Sequence, residues 1–446
     1  MSTVLPVIGF ILAWLLLVVS TYKGHSAIYM SLACALILLL LSGVGVQEGI
    51  MGTYMPALAG LCTTVFPLVL MGSILGQLYV DSGAASAISF ALSDSLMKNA
   101  SPRVRKVFTI ALIYFVGCLL CYGGVDSAAL MFTLVPLALV FFEAADIPRK
   151  YAAAVCVHVS CICLSGVGAP TYYNIYPGLQ LGTAPSAGFA AGVTALVLNV
   201  AGGILLASLY VARDEKKGLG GFHWGNARRP EFDRDNMPHP LVALIPLAVA
   251  MLLFVGLGVH FVASIGAGVV LSLLLFYRNF SVEPGSTKGK RLIAMLSKGT
   301  ASGINGAIVL CSMSAFGAVV QTNPVFSSVS GALMRLPLPP VFAYALLVGL
   351  LGILTGATVS GFQAGLGLAL EHGKFGLTDA VLHRVGAASA ATFNLAPFTG
   401  VVFVTLNLAG LSHKEGYGTI VKLAVLMMAV STAAASVLCA IFPSLP

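Results

Sequence analysis

The chain has 446 residues, 58% of them hydrophobic and only 9% Asp, Glu, Lys or Arg. Soluble proteins average about 25% charged residues, so this composition excludes a soluble enzyme, a disordered scaffold and a secreted disulfide domain. The net charge of +8 is spread too thinly for a nucleic-acid footprint, and one integral membrane domain is expected.

A membrane helix needs about 20 apolar residues. Runs 3–20 and 27–44 form the first two spans. The first has no basic residue before it and no convincing cleavage site, so it reads as a retained helix rather than a removed signal. A third apolar stretch, 50–80, ends at Val80-Asp81-Ser82-Gly83. Residues 84–98 suit an amphipathic helix at the interface. Residues 107–142 are two apolar halves split by Gly123-Gly124-Val125-Asp126-Ser127, either one long broken span or a re-entrant hairpin. Residues 149–182 are interrupted by Ser165-Gly166-Val167-Gly168-Ala169-Pro170 and the polar Thr171-Tyr172-Tyr173-Asn174. Residues 187–211 span plainly, and 213–239 form a charged linker.

The second half repeats these events. Spans 240–256, 259–277 and 299–321 lead to Gln321-Thr322-Asn323-Pro324 and a short segment ending near Arg335. Residues 340–373 are two apolar halves split by Thr355-Gly356-Ala357-Thr358-Val359-Ser360-Gly361. Residues 379–411 break at Phe393-Asn394-Leu395-Ala396-Pro397-Phe398-Thr399, and 417–442 is the last span. Placing Ala169-Pro170 on Ala396-Pro397 also brings Gly182 near Gly410, so 1–212 and 240–446 read as an internal repeat. With hairpins at 107–142 and 340–373, each half crosses five times, and an odd count makes the halves inverted. This topology puts 20 of the 23 Lys and Arg on one side, leaving Arg335, Lys374 and Arg384 on the other. The positive-inside rule then places both termini outside and the linker 213–239 in the cytoplasm, in a bacterial inner membrane. The expected fold is all-α and polytopic, each half holding one re-entrant hairpin and one broken helix.

Interrupted helices at matching positions of two inverted halves point to a transporter's binding site. Unwound backbone cannot face lipid, and each resuming helix presents free N–H groups and a positive dipole end. The candidates are Gly123, Gly124 and Ser127 at one tip, with Thr355, Thr358, Ser360 and Gln363 at the other. The breaks add Ser165, Gly168, Ala169, Pro170, Thr171 and Asn174, then Asn394, Pro397 and Thr399. Such a site suits a small carboxylate and needs no arginine, none being expected at mid-depth. Glycines 349, 352, 356, 361 and 365 also fit simple close packing of helices. Asp126 is the ionisable residue inside the membrane, a functional candidate that is also placed to cap its helix. A carboxylate beside an anion site must be neutralised, so protonation of Asp126 would couple proton and anion; His158 could share that proton. Glu371, His372, His383 and Arg384 are expected near the outer surface in solvated roles. The nine cysteines lie in apolar runs and read as small buried hydrophobes, with no metal site, cofactor or catalytic residue expected.

Three ordered stretches resemble one family. Gly76-Gln77-Leu78-Tyr79-Val80-Asp81-Ser82-Gly83-Ala84-Ala85 resembles the LGxLxxDSGAA stretch of the gluconate permeases. Leu382-His383-Arg384-Val385-Gly386-Ala387-Ala388-Ser389 resembles their LHRIAAIAS motif, and Ser412-His413-Lys414-Glu415-Gly416-Tyr417 their THKEAY motif. The resemblance implies a proton-coupled carboxylate permease, dimeric and elevator-like. The departures fall in the expected site: the tip Asp126 is kept, but both breaks lack the family's histidines. Asn174-Ile175-Tyr176-Pro177 with Leu181-Gly182-Thr183 is similar instead to relatives assigned to hydroxybutyrate-like substrates. Fewer hydrogen-bonding groups suit a less hydroxylated ligand, so a short hydroxy- or keto-monocarboxylate precedes gluconate or another sugar acid. Expected partners are that anion with a proton, membrane lipid and a second copy of the chain. Sodium coupling through Ser127, Thr358, Ser360 and broken-span carbonyls is the alternative, and an anion channel a distant one.

Overall fold

The computed structural model describes residues 4–442 except 24, 98–99, 231, 281–286 and 398. Phe398 of the second break, Lys98 and the last four residues therefore lie outside the described residues. Every regular element among the described residues is helical. The first half holds α1 (Val4–Tyr22), α2 (Ala27–Ser42), α3 (Val46–Asp81), α4 (Ala84–Met97), α5 (Pro102–Tyr122) and α6 (Ser127–Ala144). It continues with α7 (Arg149–Ser165), α8 (Tyr172–Leu181) and α9 (Phe189–Lys216). The second half holds α10 (Pro240–Gly256), α11 (Phe261–Leu275), α12 (Lys288–Gln321), α13 (Pro324–Met334) and α14 (Pro340–Leu354). It ends with α15 (Thr358–Glu371), α16 (Asp379–Phe393), α17 (Gly400–Leu408) and α18 (His413–Ile441).

Local chemistry sets many boundaries. Ser26, Thr287, Asn323 and Thr378 cap their helices by accepting a backbone N–H, and Ser412 with Glu415 forms a capping box at α18. Pro102, Pro240, Pro324 and Pro340 occupy first positions, where the missing N–H costs nothing. Gly182 and Gly410, matched in the sequence, both adopt left-handed φ, +70° and +62°.

The helices form two packed groups. In one, α3 and α12 cross at very close range, flanked by α1, α2, α10 and α11. A Cβ on Gly303 would lie 2.8 Å from Leu70 Cα, and one on Gly299 2.9 Å from Ile74 Cα. Small residues four apart thus let the two backbones meet, as in membrane helix pairs. The other group holds α5–α9 and α14–α18. Here α5 folds back on α6, with Gly117 against Leu134, and α14 on α15, with Gly365 against Val348. The glycines suspected of packing do pack: Gly349 meets the Phe393 ring, and Gly361 the Gly352 backbone.

Two segments differ from the sequence reading. Helix α4 has its first half buried, Ala84 to Phe90 lying against α5 and α10, with Arg234 stacked 4.0 Å over the Phe90 ring. Helix α9 runs to Lys216, past the apolar stretch, because Asp214 pairs with Lys150 at 2.5 Å and Glu215 with Lys106. The linker is moored on the α6–α7 corner: Trp224 Nε1 donates to Glu143 Oε1 (2.7 Å), Arg149 to the Trp224 carbonyl (2.7 Å), and Phe222 N to Asp146 Oδ1 (2.9 Å). Its far end bonds elsewhere, Asn236 and Asn279 exchanging amide-to-carbonyl hydrogen bonds. Trp224→Ala removes a hydrogen bond worth about 1 kcal/mol. Proteolytic cleavage within 213–239 is expected to quicken about fivefold with Tm unchanged, read by limited proteolysis and thermal unfolding.

Among the described residues five helices, α3, α5, α9, α12 and α18, are long and apolar enough to cross a membrane. Large apolar side chains such as Leu12, Leu205, Leu209 and Leu241 face outward, a surface that suits hydrocarbon rather than water. The chain is an all-helical, multi-pass membrane protein.

Candidate functional site

Both tight turns and both helix breaks reach one cavity of about 710 Å³. Gly124, Asp126 and Ser127 line it from the first turn, with Gly356, Ala357 and Thr358 from the second. Pro170, Thr171, Tyr172 and Tyr173 line it from the first break, with Asn394, Ala396, Thr399 and Gly400 from the second. The exposed His25 in the wall marks an opening beside the α1–α2 turn.

The first residues of α6, α8, α15 and α17 (Ser127, Tyr172, Thr358 and Gly400) all belong to this lining, so four helix N-termini converge. Three of them, α8, α15 and α17, lack the side-chain cap found on helices elsewhere in the chain. Thr171 is placed to cap α8, but its Oγ1 donates to the Leu164 carbonyl at 2.7 Å. Thr399 Oγ1 likewise donates to the Ala396 carbonyl at 2.9 Å, and Ala357 has no side-chain oxygen. Before α6 stands Asp126, half-buried, whose carbonyl accepts from Leu130 N at 2.8 Å. No lysine or arginine lines the cavity, and Asp126 is its one acidic residue among those described. The polar wall is continuous across the two halves. Tyr173 Oη lies 2.5 Å from Thr358 Oγ1, which donates to Asn394 Oδ1 at 3.4 Å.

Of the residues singled out in the sequence, Gly124, Asp126, Ser127, Pro170, Thr171, Thr358, Asn394 and Thr399 line the cavity. The others stand behind it. Gly123 packs on Leu247, and Gly168, at φ +77°, donates to the Pro185 carbonyl beside the buried Ala169. Thr355 Oγ1 bonds the Leu351 and Ala357 carbonyls, holding the second turn. Ser360 Oγ donates weakly to Met313 O, and Gln363 accepts from Ser314 Oγ at 2.6 Å. The Pro397 carbonyl accepts from His413 Nε2 at 3.0 Å. Asn174 Nδ2 donates to the Gly166 and Ala169 carbonyls at 2.8 and 2.9 Å, closing the first break on itself. The structure places His158 away from the cavity, in a buried net joining four helices. It bonds Tyr114 Oη (2.7 Å) and Asn199 Oδ1 (3.1 Å), and Asn199 donates to Ser431.

One expectation is overturned outright. His383 and Arg384 are not solvated at the outer surface; both are buried, Arg384 being 1% exposed. The cause is tertiary: the loop between α8 and α9 lies across the first turns of α16, and a Cβ on Gly188 would sit 2.6 Å from Arg384 Cβ. Arg384 bonds the Ala187, Ser165 and Pro185 carbonyls at 2.9 Å each and Asn174 Oδ1 at 3.0 Å. The apolar part of the wall was also missed, notably Tyr172, Tyr173, Phe393 and Phe403. The two tyrosines and Phe393 stood in the interrupted stretches already marked, whereas Phe403 carries no signal that separates it from lipid-facing residues. Asn407, a lone amide in an apolar run, was detectable by the rule that intramembrane polar residues face protein or a cavity.

No protein-family profile matches the chain. The "Uncharacterized transporter YxjC" of Bacillus subtilis (strain 168) is 24% identical over 465 residues, covering 91% of this chain and 93% of its own. Among solved structures, the Alcanivorax borkumensis YdaH transporter, titled as revealing an unusual topology, aligns over 87% of both chains at 16% identity and a TM-score of 0.49.

Proposed function

We propose that this protein is a secondary transporter that carries a small organic carboxylate across the cytoplasmic membrane together with a proton. The observation that carries the reading is the convergence of four helix N-termini, three without side-chain caps, on a cavity lacking lysine and arginine. Unfilled N–H groups and dipole ends form an anion site that needs no cation in the wall, and a carboxylate provides the acceptors the caps lack. A relative named as a transporter, matched over nearly the whole length of both chains, supports the same class and argues against an enzyme. The wall is mostly apolar and aromatic, with only a few hydroxyls and amides. That favours a short hydroxy- or keto-monocarboxylate over a sugar acid, whose extra hydroxyls would lose their water unpaired.

Asp126 supplies the proton step. Ionised, it opposes an anion at the neighbouring helix ends; protonated, it ceases to, so the two ligands load together. The two halves are inverted repeats with both termini outside. The opening beside His25 then faces the cytoplasm, and the group bearing turns and breaks slides against the α3–α12 group as an elevator, in a homodimer. Reconstituted protein is expected to exchange a labelled short monocarboxylate by counterflow and to concentrate it under an inward proton gradient. Concentration under a sodium gradient alone reassigns the coupling ion. Failure to bind any member of a panel of hydroxy, keto and sugar acids overturns the reading.

A further inference from the structure

We propose that Arg384, buried one layer behind the first helix break, is the fixed positive charge that the transported carboxylate answers. The inference rests on the carboxylate reading above and deepens it.

A guanidinium stays charged at any physiological pH, and a buried charge is costly unless it is paired. Yet each acceptor around Arg384 is neutral: three backbone carbonyls and the Asn174 amide oxygen. The ion pairs found among the described residues lie elsewhere and none includes Arg384. Its charge is therefore solvated by dipoles but not cancelled.

The same contacts decide which pole of the break faces the cavity. Four carbonyls freed where α7 ends are engaged on the protein side. Leu164 O accepts from Thr171, Ser165 O from Arg384, and Gly166 O and Ala169 O from Asn174. Asn174 is itself held by Arg384 Nη1 at 3.0 Å and by His383 Nε2 at 3.3 Å. With these four carbonyls engaged, the break offers the cavity the uncapped amino end of α8, with Thr171 and Tyr172 in the wall. The second break is built differently, its Leu395 and Pro397 carbonyls bonded by Tyr417 and His413. The arginine thus marks the first break as the carboxylate's end of the site. In a water-poor interior a charge one layer back is screened far less than at a surface, so contact is not required. Arg384 is a positioning residue in this sense, acting through the break it holds.

The test separates charge from shape. Arg384→Lys keeps the charge without the fork; Arg384→Gln and Arg384→Met remove the charge. Binding of labelled 3-hydroxybutyrate to purified protein is read together with Tm. Arg384→Lys is expected to bind within about threefold of the wild type, and the two neutral variants at least tenfold more weakly. Asn174→Asp sets a counter-charge on the guanidinium with the arginine in place, and Asn174→Leu, which removes the same Nδ2 donors without adding charge, is its control. The Asp variant is expected to bind at least tenfold more weakly than the Leu variant, and equal binding by the two overturns the proposal. The pair decides if the neutral arginine variants do not fold. Wild-type affinity in folded Arg384→Gln or in Asn174→Asp overturns the proposal, as does a loss in Arg384→Lys equal to that in Arg384→Gln. A wild-type protein that binds no carboxylate in the panel overturns the carboxylate reading first, and the proposal with it.

Discussion

Asp126→Asn is expected to abolish concentration of the carboxylate under a proton gradient while leaving counterflow exchange measurable. Asparagine is as good an N-cap as aspartate, so α6 keeps its start and the first turn its shape. What disappears is the exchangeable proton. The variant has no carboxyl at this position, so anion binding is expected to lose the strengthening with falling pH that the proposed coupling requires of wild type. In vesicles, accumulation ratios should drop to the passive value, and carboxylate affinity should vary little with pH. A variant that concentrates the substrate as wild type does under the same gradient would remove Asp126 from the coupling step.

The second large effect is structural. A Cβ on Gly361 would overlap the N and Cα of Gly352, atoms of the facing helix backbone. A side chain can rotate away from such an overlap, but a backbone cannot, so α14 and α15 would have to separate. Gly361→Ala is therefore expected to cost about 3 kcal/mol, the upper part of the overpacking range, and to displace Thr358 at the tip. Gly367→Ala on the same helix is the matched control, because nothing lies within 4 Å of its Cβ. Thermal unfolding should show a clear fall in Tm for the first and none for the second. Equal Tm values for the two would refute the close contact.

What could be read from the residues was whatever depends on local chemistry. Gly124 and Gly356 sit at positive φ, +100° and +69°, in the turns that their Gly-rich pentapeptide and heptapeptide announced. Pro170 and the Asn394–Pro397 stretch interrupted helical runs where the backbone does unwind. Arg384 shows the limit. Its neighbours in sequence suggested a helix start near the membrane surface, where an arginine is solvated. A loop from the other half of the chain covers it, and no local pattern encodes that contact. His158 makes the same point: its place among Tyr114, Asn199 and Ser431 depends on three other helices, not on its depth in its own. The outward or inward direction of Phe393 and Phe403 is likewise a property of packing.

The linker's two moorings have a mechanical consequence. Its last bond on the α6–α7 corner is Arg229 to Glu143, and its mooring on the opposite group is Asn236 to Asn279, just past α11. Seven residue steps of fully extended chain reach about 24 Å. That contour is a leash on any stroke of one group past the other: a longer excursion must break a mooring. Between them Arg234 pairs with Asp94 of α4, a helix that packs against both groups; at 3.4 Å and exposed on both sides, the pair adds little hold. With that pair broken the chain still holds at Asn236, so the proposed sliding of the groups would be bounded by the contour from Arg229 to Asn236.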